Sequence, residues 1–365
     1  MNSTESGYIS QPAAPLRSAG LAVRFTAIVG ALVVTAGLFL YAGGWFTPHK
    51  LTPARIIDTF EYLNGKHPGF RRNHAKGVCV TGYFESNGQG QAISKAQVFL
   101  PGRVDIVGRF ALAGGKPYAD DTPQTIRSLA ILFKQPDGQE WRTAMVNIPV
   151  FVVKTPEAFN EFNVASSPDP ATGKNIPGAM QAFLAKHPET AAALQMIGKH
   201  PFSSGFGDSP YYALNAFRFV NAQGGYTPVR WFVTPDQTFE ANSAAATGKN
   251  YLFDGLIAQL HAKPLRWHLI LIVGQPGDPT SDATAVWPPD RQQIDAGTLT
   301  INTIESEATS PTRDINFDPL VLPDGISPSD DPLLSARSAA YSQSFTRREG
   351  EHKEPSAIST SEVEK

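Results

Sequence analysis

The chain has 365 residues, 41% hydrophobic and 18% charged, with 31 Lys and Arg against 33 Asp and Glu and a formal net charge of −2; a disordered chain, which would be charge-rich and apolar-poor, is excluded. A near-neutral chain without a basic run has no electrostatic footprint for nucleic acid, because neutralising phosphates takes clustered Lys and Arg. The single Cys79 closes no intramolecular disulfide and completes no zinc or iron–sulfur site, so any metal or cofactor uses other ligands.

Residues 25–46 carry no charge, and a run of about 22 residues is long enough to cross a hydrocarbon core as one helix. Arg17 and Arg24 precede it, so the positive-inside rule puts residues 1–24 in the cytoplasm and the bulk of the chain outside, with Tyr41, Trp45 and Phe46 at the far interface. Ala42 and Gly44 are small enough for a signal-peptidase site, but the run is longer than a usual signal core. An uncleaved transmembrane anchor is therefore expected, with the rest of the chain on the periplasmic side of a bacterial inner membrane.

Residues 47–346 are expected to form one folded unit. In chain order, 52–63 reads as a helix, and 77–84, 104–112, 128–133 and 149–153 read as strands. Helices follow at 156–162, where Thr155 caps and Pro156 opens the first turn, and at 176–187 and 190–198. Strands at 213–220 and 229–233 flank a hairpin turn at Gln223-Gly224-Gly225, before a helix at 251–261 and a strand at 269–273. This pattern is α+β, an antiparallel sheet or barrel interleaved with helices. The absence of GxGxxG and GxxxxGK[ST] argues against a parallel nucleotide-binding sheet. Beyond 346 the sequence RREGEHKEPSAISTSEVEK is almost devoid of apolar residues and reads as a solvated, mobile tail.

Eight histidines are present, without HExxH or a metal-ligand cluster. His74 differs in its setting, at the mouth of a strand in RRNHAKGVCVTGYFES, three residues after Arg71. Near the end of the folded part, Arg337 and Tyr341 are four apart and share a face if helical. A phenol held against a permanent cation is a hard oxygen ligand suited to ferric iron, although such a pair is more often plain surface packing. Cys79, between Val78 and Val80, reads as a small buried apolar residue.

Together these segments resemble haem catalases, and more closely the shortened, membrane-tethered catalase-related peroxidases. His74-Ala75-Lys76-Gly77 with Gly82-Tyr83-Phe84-Glu85 is similar to the distal-histidine strand, and Gly325 to Asp331 with Arg337-Ser338-Ala339-Ala340-Tyr341 to the proximal segment. GRFAL around Arg109, NIPVFVVKTPEAF from Asn147, NAFRFVNAQGGYTPVRWFV from Asn215 and DATAVWPP from Asp282 lie between them in the family's order. The resemblance implies an eight-stranded antiparallel barrel ringed by helices, holding haem b. It makes Tyr341 the iron ligand supported by Arg337, His74 the acid–base group, and Arg71, Arg109 and Arg337 the partners of the haem propionates. Phe151 would line the haem pocket, and Asn147 would be the distal asparagine, although Val146 takes that place if Pro149 sets the register. Ala111 stands where catalases carry the serine that orients the distal histidine, so that hydrogen bond is expected to be lost.

The function implied is a haem peroxidase reducing hydrogen peroxide or organic peroxides with an unidentified electron donor. A small catalase and a non-catalytic haem-binding protein are the alternatives. The membrane segment replaces the family's N-terminal arm and the chain stops soon after Tyr341. The resemblance therefore does not carry over the catalase-type tetramer or the bound nicotinamide nucleotide, and a homodimer is the assembly expected.

Overall fold

The computed structural model describes residues 18–43, 50–242 and 248–364. They divide into two units, Met1–Thr52 and Pro53–Lys365. In the first, α1 (Ser18–Ala42) begins earlier than predicted and includes Arg24. From Gly20 to Ala42 its mean hydropathy is 2.1 and none of it is buried, so it is long and apolar enough to cross a membrane. Thr26 and Thr35 donate their hydroxyls to the carbonyls of Ala22 and Ala31, at 3.0 and 2.8 Å, so neither leaves a polar group unsatisfied. Trp45 and Phe46, expected at the far interface, and Gly44 of the candidate cleavage site lie outside the described residues.

The second unit starts with α2 (Pro53–Asn64), then β1 (Gly77–Ser86), β2 (Gly102–Leu112), β3 (Arg127–Lys134) and β4 (Glu140–Val146). The helices α3 (Pro156–Ser166), α4 (Ala179–Lys186) and α5 (Pro188–Lys199) follow, then β5 (Tyr211–Tyr212), β6 (Phe217–Val220) and β7 (Tyr226–Pro235). The chain continues through α6 (Tyr251–Ala262), β8 (Leu265–Val273), β9 (Gln293–Glu305), β10 (Ile326–Pro328), α7 (Pro332–Glu349) and α8 (Thr360–Val363). Strands β1-β2-β3-β4-β5-β7-β8-β9 pair antiparallel in that order, and β9 returns to β1, closing an eight-stranded barrel. The short β6 and β10 extend from β7. Closure removes the sheet edges that would otherwise be open to foreign strands.

Strand alternation packs the barrel interior. In β4, Trp141, Thr143 and Met145 point inward while Arg142, Ala144 and Val146 point outward. Trp141 stacks on Phe133 with ring centroids 4.7 Å apart and meets Trp231 edge-on at 5.1 Å. Such pairs add about 0.5–1.5 kcal/mol each beyond area burial.

Two expectations are corrected. Residues 149–153 form no strand: Pro149 has no N–H for a ladder, and the Phe151 N–H instead donates to Ala283 O at 2.8 Å. Residues 347–364 form no free tail. Glu351 accepts hydrogen bonds from Arg72 Nη2 at 2.6 Å and the Gly69 N–H at 3.0 Å, Ser306 donates to Ile358 O at 2.6 Å, and Ile358 is 0% exposed. Ser359 and Glu362 form a capping box on α8. A polar composition concealed this segment because its charges pair with groups far away in sequence and only Ile358 and Val363 anchor it in the core.

Candidate active site

Outside the barrel, a cavity of about 1410 Å³, part of it open to solvent, lies between the wall of strands β2–β4 and the helices α2, α3 and α7. Residues directly opposite in a sheet share a face. The register sets Arg109 beside Ala130 and Ala144, and Ala111 beside Ser128 and Val146, so a floor of mostly small side chains leaves the space. Ile56, Ile57 and Phe60 of α2, and Pro156 and Phe159 of α3, supply apolar walls. Arg337, Tyr341, Ser344 and Arg348 form one i,i+4/i+3 stripe of α7 facing the cavity.

His74 enters from the loop before β1 with a left-handed backbone, φ 54°, a conformation costing about 1–2 kcal/mol for a non-glycine residue. Three contacts hold it. Its N–H donates to Asn73 Oδ1 at 2.9 Å, its carbonyl accepts from Arg109 Nη1 at 2.8 Å, and its ring Nδ1 lies 3.0 Å from Ser128 Oγ. Ser128 corrects the expected loss at Ala111: the hydroxyl is present, moved across the ladder to the residue paired with Ala111. Ser128 also donates to Ala111 O at 3.2 Å. A hydroxyl has one proton, so with that proton on Ala111 O the serine accepts from Nδ1–H, which leaves Nε2 of the neutral ring with its lone pair. No local sequence signal reveals Ser128, because its role arises from cross-strand pairing.

Burial and then the cations Arg109, Arg337 and Arg71 push the His74 pKa down from 6.5 to about 3. An unfolded histidine takes a proton below about 6.5, whereas this one does not until about 3. The contribution of His74 to stability is therefore lost as pH falls through that window, while the imidazole stays a neutral base throughout neutral and mildly acidic conditions.

Tyr341 lines the same cavity. Asp331 caps α7 by accepting the Leu333 N–H at 2.9 Å and also accepts from Asn215 Nδ2 at 2.7 Å; Asn215 Oδ1 in turn accepts from Arg337. This chain fixes Arg337, whose guanidinium carbon sits 6.0 Å from the centroid of the Tyr341 ring. Among the described residues no hydrogen bond reaches the phenol oxygen.

The arginines are more numerous than predicted. Arg71, Arg109 and Arg337 line the cavity as expected, and so do Arg72 and Arg348. Arg72 is paired with Glu61 at 2.7 Å and Glu351 at 2.6 Å. Arg71 and Arg109 share one buried carboxylate, Glu307, with Arg348 and Arg313 close by. Burial, Arg109 and Arg348 lower the Arg71 pKa to about 9, the signature of a buried cation cluster short of anions. Phe151 lines the cavity, its ring 5.3 Å from that of Phe159.

Asn147 is not brought to the cavity. Strand alternation turns Val146 into it, while the buried Asn147 side chain accepts the Arg127 N–H at 2.8 Å. Asn147→Ala is expected to cost about 1–3 kcal/mol by orphaning that donor, measured by denaturant unfolding, with activity per folded molecule unchanged.

A family model described as Catalase matches residues 47–360. The chain belongs to the catalase family. It is 36% identical over 306 residues to a catalase-related peroxidase of Synechococcus elongatus, covering 83% of this chain and 90% of that protein. It is also 31% identical over 304 residues to a catalase-related peroxidase of Mycolicibacterium paratuberculosis, covering 82% and 96%. Among solved structures a fungal catalase superposes with a TM-score of 0.71 at 20% identity, over 81% of this chain and 62% of that one. Catalase A of Saccharomyces cerevisiae gives 0.69 at 22% identity, over 80% and 64%. The chain thus spans about three fifths of those solved catalases, with which it shares the fold.

Haem b is the cofactor of this family, and the residues present fit it. The surplus of buried arginine suits two propionate carboxylates, which planar guanidinium forks bind bidentately. The floor of Ser128, Ala130 and Ala144 leaves room for a flat macrocycle, and the phenol of Tyr341 is an oxygen donor of the kind that binds haem iron. Arg71, Arg337 and Arg348 would hold the propionates and Tyr341 the iron.

Proposed function

We propose that this chain is a haem-dependent peroxidase that reduces hydrogen peroxide or organic peroxides at the expense of an electron donor, tethered by α1 with its catalytic unit outside the cytoplasm. The reading is carried by one observation: a neutral, pre-oriented histidine lines the same cavity as a phenol whose oxygen makes no hydrogen bond among the described residues. Haem, when bound, supplies a redox-active iron that takes the oxidising equivalents of the peroxide. The residues of the chain manage the proton. His74 Nε2 accepts the peroxide hydroxyl proton and delivers it to the departing oxygen, so that the leaving group departs neutral. With two electrons and two protons supplied, ROOH yields ROH and water. Val146 offers no amide to this side of the cavity, which favours reduction by a donor over reaction with a second peroxide. The two relatives named catalase-related peroxidase support the same choice.

The experiment is an assay of peroxide consumption with and without a reducing donor, with dioxygen followed in parallel. Consumption that depends on the donor supports the peroxidase. Rapid dioxygen release without it would instead make the protein a small catalase.

Ser128→Ala is expected to lower the rate of peroxide cleavage by about tenfold, with Ser128→Thr retaining most of it. Because the His74 pKa lies at about 3, the wild-type rate should show no fall centred near 6.5 as pH is lowered; a stopped-flow pH series reads both.

A further inference from the structure

Arg109 is engaged on two edges. Its Nε and Nη2 donate to the two carboxylate oxygens of Glu307 at 2.8 and 3.0 Å, while Nη1 and Nη2 donate to the carbonyls of His74 and Ala75 at 2.8 and 3.1 Å. The planar guanidinium is thus a plate bolted between a carboxylate and the backbone of the strained histidine. The chain makes room for it at Gly77, where a Cβ would fall 2.5 Å from Arg109 Cζ. Glu307 is 3% exposed, sits two residues beyond β9, and also accepts from Arg71 Nη1 at 2.9 Å. These four bonds leave Arg109 one N–H, at Nη1, for an external carboxylate, so holding the histidine is a task beside the propionate contact expected of it.

We propose that Glu307 is a positioning residue for His74, acting through the Arg109 guanidinium. The ionised carboxylate fixes the plate, the plate fixes the His74 and Ala75 carbonyls, and these hold the left-handed turn that aims the imidazole into the cavity. The inference rests on the acid–base role of His74 given above. Removing the carboxylate lets the plate rotate and the histidine relax toward an unstrained backbone. A displacement of about 1 Å in a reacting group can cost a factor of about 10² in rate.

The test uses the full-length chain with Glu307→Gln, which keeps size and loses charge, and Arg109→Lys, which keeps charge and loses the two-edged fork. In the haem-loaded protein each variant is expected to lower kcat for peroxide by about tenfold to a hundredfold with KM and haem content little changed. Combining them should add little to either alone. A second readout needs no turnover: with ¹⁵N-labelled histidine in the haem-free full chain, wild-type His74 should show one tautomer protonated at Nδ1, and both variants a shifted or exchange-broadened ring. Should Glu307→Gln fail to fold, Arg109→Lys carries the same two measurements. Wild-type kcat and an unchanged ring signal in the variants would overturn the proposal. So would loss of haem with kcat per haem preserved, which would place Glu307 in the anion cradle alone. A wild-type protein that binds haem without cleaving peroxide would sink the peroxidase reading instead, and the ring signal would still decide the positioning claim.

Discussion

Tyr341→Phe is expected to lose tight retention of ferric haem. The substitution keeps the ring and its contacts on α7 and removes only the oxygen, so the fold should be preserved. Loss of an anionic ligand to the iron should weaken haem binding by more than about tenfold, equivalent to about 1.4 kcal/mol or more. Any haem that stays bound should be ligated differently. Haem content after purification and the visible absorption spectrum check this together. A variant with wild-type haem content and an unchanged spectrum would remove Tyr341 from the ligand role and leave Arg337 with no phenolate to support.

His74→Ala is expected to give the opposite pattern, with haem retained and peroxide cleavage down by a factor of about 10² to 10⁴, the usual share of general acid–base transfer. Ser128 is the only hydrogen-bond partner of the imidazole among the described residues, and the ring carries no charge near neutral pH. Its loss therefore removes one bond from the Ser128 hydroxyl, which keeps Ala111 O as its acceptor. Single-turnover mixing with hydrogen peroxide measures the effect. A rate within threefold of wild type would show that the chemistry runs without the histidine, as nonspecific haem reactivity would.

The sequence revealed much of this arrangement wherever the signal was local. The alternation of Val, Ile and Phe located β1, β2 and β3, the Pro156 turn located α3, and the spacing of Arg337 and Tyr341 placed both on one face of a helix. β9 escaped because its inward Leu299 and Ile301 alternate with threonines in a run that reads as polar. β4 escaped because Arg142 and Ala144 interrupt its outward face. The site itself was half legible. His74, Tyr341, Arg71, Arg337 and Phe151 converge on one cavity, whereas Asn147 turns away because strand alternation gives its neighbour Val146 the place on the barrel's outer face that looks into it. Ser128 and Glu307 were invisible in principle. Each acquires its partner from a segment 54 or 198 residues away, and only the closed ladder brings those segments together.

The central claim is that one cavity holds haem between Tyr341 and His74, and the most direct test is a haem titration of the full-length protein followed by its absorption spectrum. One equivalent bound with the ferric spectrum of a tyrosinate-ligated haem is the predicted result. A folded protein that takes up no haem, or one whose bound haem carries a histidine-ligated spectrum, would contradict it.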